Sequence, residues 1–190
     1  MSKKILYIIP GFGESIKDDG YKRISMFANK NGYKVIPIEV IWKNRTASRW
    51  LTQIREVVDL NGHENATVLG FSFGAYLTIL LSQEYKFKKI IVCSLSPYFS
   101  DDIKNLPMLA HKILGKRRIE NFKQIHFPKN NLTSAVFCIG LEDLDIVINR
   151  VKKAYKVWSG SKEIIFIEKV GHEIENESYL QKIYDKLKKE

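Results

Sequence analysis

Short apolar runs rich in Ile, Val, Phe and Tyr punctuate the chain: KILYII at 4–9, YKVIPIEVI at 33–41, ATVLGF at 66–71, KKIIVCSL at 88–95, SAVFCI at 134–139 and KEIIFIE at 162–168. Runs of this length and composition, bounded by turn-forming residues, predict six strands. Between them the apolar spacing changes to every third or fourth position. Tyr21, Ile24, Phe27 and Ala28 share one helical face closed by Asn31 and Gly32, and Trp50, Leu51, Ile54, Val57 and Val58 share another closed by Asn61 and Gly62. Ile148, Val151, Tyr155 and Trp158 form a third stripe, and Leu180, Ile183, Tyr184 and Leu187 a fourth. A fifth helix follows Ser72, apolar around most of its circumference and therefore buried. Strand alternating with helix predicts an α/β fold: one mostly parallel six-stranded sheet with helices on both faces.

One segment interrupts the alternation. Residues 98–133, after the fourth strand, are too long for an ordinary connection. Their pattern predicts a helix over 103–114 and a second over 118–125, a small cap or lid of the kind that covers functional sites. The apolar residues Ile103, Leu106, Met108, Leu109, Ile113 and Leu114 are expected to face a hydrophobic surface near that site.

Length and composition narrow the class. A chain of 190 residues, 45% hydrophobic and 27% charged, fits one globular domain over residues 1–190 and argues against disorder. The net charge of +10 raises the question of nucleic acid, yet the lysines are scattered and the only tight basic cluster is GKRR at 115–118. No zinc-finger, helix-turn-helix or RNP-type pattern accompanies it, so a solvated basic surface is expected and no nucleic-acid partner. No stretch is long enough to span a bilayer, and the apolar part of MSKKILYIIPGFG is too short for a secretory core, which predicts a cytoplasmic protein. Cys93 and Cys138 lie inside strand-like runs and read as buried thiols. His63, His111 and His126 show no metal-ligand spacing, and no metal is expected.

The chemistry concentrates around TVLGFSFGAYLTILLSQE at 67–84, where Ser72 sits between Gly70 and Gly74 at a strand-to-helix corner. Such a corner strains the serine backbone and lifts its hydroxyl above the sheet edge, in the manner of a GxSxG elbow; a simple helix cap is the competing role. A nucleophilic serine needs an imidazole to take its proton and a carboxylate to orient the imidazole. The carboxyl ends of the last two strands supply both types, Asp143 in GLEDLDIV and His172 in KVGHEIEN. Glu142 and Asp145 are further acids in the first of these loops, and Asp145, directly before a periodic helix, reads as its cap.

Taken together, YIIPGFGES, GFSFGA, CIGLEDLDIV and EKVGHEI resemble the α/β-hydrolase superfamily over nearly the whole chain, as a minimal member of the lipase and esterase type without the first two strands of larger relatives. The resemblance implies Ser72 as nucleophile, His172 as general base and Asp143 as its orienter, since the family favours an acid three residues after the glycine, here Gly140. It also implies an oxyanion hole from the backbone N–H groups of Phe73 and Phe12, with Pro10 standing where relatives often carry histidine. The implied activity is serine hydrolysis of a carboxylic ester, or a thioester, of a small or short-acyl substrate through an acyl-enzyme, with no cofactor. Acyl transfer by the same residues and a non-catalytic interaction protein are the alternatives, and the oligomeric state is left open.

Overall fold

The computed structural model describes residues 4–188. Its elements in chain order are β1 (Lys4–Ile9), α1 (Asp19–Lys30), β2 (Tyr33–Pro37), α2 (Ala47–Asn61), β3 (Ala66–Phe71), α3 (Phe73–Leu81), β4 (Lys89–Cys93), a 3-10 turn (Ile103–Asn105), α4 (Met108–Leu114), α5 (Lys116–Lys123), β5 (Ser134–Gly140), α6 (Asp145–Val157), β6 (Lys162–Ile167) and α7 (Glu177–Leu187). The six strands form one sheet in the order β2-β1-β3-β4-β5-β6, every neighbouring pair parallel.

Alternation along each strand divides the core in two. Tyr7, Ile9, Val68, Ile90, Val92, Phe137 and Ile139 face a large layer built with α2, α3, α5 and α6. Their neighbours Leu6, Ile8, Leu69, Phe71, Ile91, Cys93 and Cys138 face a smaller one built with α1 and α7. Both cysteines are free and fully buried, and burial drives the Cys93 thiol well above its ordinary pKa. The strand order reverses between β1 and β3: the chain leaves β1 toward one side of the sheet, then crosses to the other. A parallel sheet opens a crevice beyond the carboxyl ends of the strands at such a reversal, which places the loop after β1 beside the corner after β3.

Three expectations are corrected. The second strand stops at Pro37 rather than running to Ile41; β2 is an edge strand, and after one further bond from Ile38 N–H to Ile8 C=O, 2.8 Å, the chain leaves the ladder. The expected helix over 103–114 is broken, because Pro107 pushes Leu106 into an extended conformation, leaving a 3-10 turn and the separate α4. The second insertion helix begins at Lys116 and ends at Lys123. Among the described residues no helix is long and apolar enough to cross a membrane.

Candidate active site

Ser72 occupies the corner between β3 and α3 with φ 55° and ψ −115°, a backbone conformation that side chains other than glycine rarely adopt. Its amide donates to Cys93 C=O at 2.8 Å and its carbonyl accepts from Tyr76 N–H at 3.1 Å, so β4 and α3 hold the corner from both sides. The hydroxyl makes no capping bond to α3, which removes the helix-cap role. The flanking glycines answer to space. A Cβ on Gly74 would stand 2.0 Å from Ile9 C=O, and one on Gly70 would stand 2.3 Å from Gly74 C=O. The first turn of α3 thus rests directly on the backbone at the end of β1.

The three predicted residues meet. Ser72 Oγ lies 2.9 Å from His172 Nε2, and His172 Nδ1 lies 3.0 and 2.9 Å from the two carboxylate oxygens of Asp143. The Asp143 side chain is fully buried, and its Oδ1 also accepts the Leu144 N–H at 2.7 Å. The imidazole, about one-third exposed, lies against the Phe71 ring with centroids 4.9 Å apart. The loops bearing acid and imidazole touch through main chain: Glu142 N–H donates to Val170 C=O at 2.9 Å, and a Cβ on Gly140 would fall 2.2 Å from that same oxygen. Glu142 and Asp145 are exposed. Asp145 is the first residue of α6, with Leu144 at the cap position, so its expected capping role is not observed and it contributes only a carboxylate in the first turn.

On the opposite side of Ser72 stands the loop PGFGES. Gly11 N–H donates to Glu14 Oε2 at 2.9 Å and to the Tyr21 hydroxyl at 3.0 Å, while that hydroxyl donates to the same Glu14 oxygen. Tyr21 is buried, and burial with the adjacent carboxylate drives its phenol far above the ordinary range, so it remains a donor. Trp42 Nε1–H completes the clamp by donating to Glu14 C=O at 3.2 Å. The backbone N–H groups of Phe12 and Phe73 donate to no protein acceptor among the described residues. Sequence reasoning missed Ser96, a buried residue whose hydroxyl lies 3.2 Å from Ser72 Oγ. Its only signal was a serine just beyond β4, the strand adjacent to the one that ends at Ser72.

The sequence matches no family profile and no curated protein. Solved structures do match: a putative hydrolase from Agrobacterium vitis S4 (TM-score 0.85, 13% identity, 97% of this chain and 87% of that one) and mouse alpha/beta hydrolase domain-containing protein 10 (0.83, 11%, 98% and 90%). A monoacylglycerol lipase from Paleococcus ferrophilus matches at TM-score 0.73 and 14% identity over 96% of this chain and 93% of that one. The chain has the α/β-hydrolase fold. On this α/β-hydrolase scaffold, the residues predicted from sequence stand at the carboxyl ends of β1, β3, β5 and β6.

Aromatic rings pack the space beside Ser72. Phe73 lies 5.1 Å from Phe12, stacks on Tyr98 at 4.4 Å and meets Trp50 edge-on at 5.8 Å; Tyr98 in turn stacks on Phe122 at 5.3 Å. Tyr98 and Phe122 come from the 98–133 insertion, and Phe99, Ile103, Leu106, Leu114 and Ile119 from the same segment are buried in the larger core layer. The expectation that all its apolar residues face inward fails for Met108, Leu109 and Ile113, which are mostly exposed on α4. Nor is the GKRR cluster simply solvated: the Arg118 guanidinium lies 5.1 Å from the Phe12 ring and donates to Arg45 C=O at 3.0 Å, Trp42 C=O at 3.2 Å and Leu114 C=O at 3.3 Å.

Proposed function

We propose that the protein is a serine hydrolase that cleaves the carboxylic ester, or thioester, of a small or short-acyl substrate through an acyl-enzyme. The observation that carries this reading is the unbroken hydrogen-bonded line from Ser72 Oγ through His172 to the buried Asp143, with Ser72 on a strained elbow. His172 Nε2 takes the hydroxyl proton as Ser72 Oγ attacks the acyl carbon, while Nδ1–H donates to Asp143 and fixes the tautomer. The N–H groups of Phe12 and Phe73 receive the oxyanion, aided by the amino end of α3. The imidazolium returns its proton to the leaving alcohol or thiol, and water repeats the steps on the acyl group. The esterases and lipases among the structural neighbours support this choice of chemistry. A fluorophosphonate probe should label wild-type protein at Ser72 alone and leave Ser72→Ala unlabelled; absence of wild-type labelling would favour a non-catalytic protein that keeps the fold.

The packed rings limit the acyl group. Phe73, Tyr98 and Phe122 fill the space beside the nucleophile, so soluble nitrophenyl esters should lose about tenfold in kcat/KM for each methylene beyond the optimum. Tyr98→Ala should move that optimum to longer chains. Tyr98 is half-buried, which makes it a gentler change than removing the insertion, whose Phe99 and Phe122 belong to the core. A preference for long chains in wild type, unchanged by Tyr98→Ala, would refute the packing argument.

A further inference from the structure

Between α2 and α5, away from the Ser72 elbow, lies a cavity of about 260 Å³ whose wall carries Arg45, Arg49 and Arg117 together with Asn44 and Thr52. Among the described residues none of these arginines has a carboxylate within ion-pair distance. Arg45 Nη1 reaches only the neutral Gln53 Oε1, at 3.4 Å. The one acid in the wall is Glu56, one turn further along α2, which leaves the cavity with an excess of two positive charges. The walls are tied in place: Asn121 of α5 accepts from Ser48 N–H at 3.4 Å and donates to Ser48 Oγ at 3.0 Å, and Arg118 of α5 holds Arg45 C=O. Like charges gathered in one concavity repel, and an anion relieves that repulsion.

We propose that this cavity binds a phosphate group. Guanidinium forks match the oxygens of phosphate two at a time, and three of them around one concavity suit a tetrahedral, multiply charged anion better than a planar carboxylate. The Asn44 side-chain amide supplies a further donor, whereas the Thr52 hydroxyl already donates to Ser48 C=O at 3.0 Å. The site does not depend on the hydrolytic reading of Ser72. It adjoins that reading structurally, because Arg45 C=O anchors Arg118, whose guanidinium lies against Phe12.

Pyrophosphate and inorganic phosphate are the probes, titrated calorimetrically into the full-length protein at fixed salt. Arg49 and Arg117 are exposed, so Arg49→Gln/Arg117→Gln should fold normally while losing about tenfold in pyrophosphate affinity for each arginine removed. Lys22→Gln/Lys182→Gln makes the same charge change on the α1–α7 side and should leave affinity within about twofold. Arg49→Lys/Arg117→Lys keeps the charge without the fork and should fall between these. Vesicles of phosphatidylcholine with phosphatidic acid identify the source of the phosphate. Arginine-dependent vesicle binding that pyrophosphate competes away assigns a lipid headgroup; pyrophosphate binding with no arginine-dependent vesicle binding assigns a soluble phosphate ester. No pyrophosphate binding by wild type, or an equal loss in the lysine control, overturns the proposal. Phosphonate labelling of Ser72, measured on the same variants, reports separately on the hydrolytic reading.

Discussion

Replacing His172 with alanine should lower ester turnover by about 10⁶-fold, close to the loss expected from removing the nucleophile itself. A serine hydroxyl at neutral pH holds its proton too tightly to attack an ester, and in the proposed mechanism His172 Nε2, 2.9 Å from the Ser72 hydroxyl, is the base that takes it. The variant should remain folded, since the ring is partly exposed and its main packing partner is the face of Phe71. Fluorophosphonate labelling should slow with it although Ser72 is still present, which separates loss of activation from loss of the nucleophile. Turnover within about tenfold of wild type would mean that His172 is not the base.

Asp143→Asn should cost about 10⁴-fold in kcat with little change in KM. An amide at this position can offer N–H to Nδ1 and hold the imidazole in the tautomer whose Nε2 carries a proton, so that it can no longer accept one from Ser72. The substitution keeps the shape of a side chain that is fully buried, so a change in melting temperature should not account for the loss. Asp145→Asn supplies the contrast. An exposed carboxylate in the first turn of α6 contributes about 0.3–1 kcal/mol through the helix dipole, and its removal should leave turnover within about twofold. The reverse result in the two variants would move the orienting role to Asp145.

The strands and their alternation with helices were legible because each of β1, β3 and β5 is bounded by a composition change that coincides with its end to within one residue. Ser72, Asp143 and His172 were legible for a related reason: in a parallel sheet the carboxyl ends of strands share one edge, so chain position translates into spatial proximity. The insertion was not. Its apolar residues read as an inward face, but Met108, Leu109 and Ile113 point to solvent, because Pro107 resets the helix and the earlier spacing no longer applies. Pro107 was visible in the sequence; the new helical phase after it was not. Ser96 was out of reach because its contact with Ser72 depends on how β4 sits against β3, a register set by tertiary packing. The Glu14–Tyr21 clamp on Gly11 joins a loop to a helix in the same way.

The contact between Gly74 and the carbonyl of Ile9 leaves no room for a side chain between two stretches of main chain. It lays one stretch of main chain on another where the loop after β1 meets the first turn of α3, and the Phe12–Phe73 ring contact closes the same seam. The corner asks for two missing Cβ atoms, at Gly74 against Ile9 and at Gly70 against Gly74. A side chain added at Gly74 would have to push these two stretches apart, and with them the backbone N–H groups of Phe12 and Phe73.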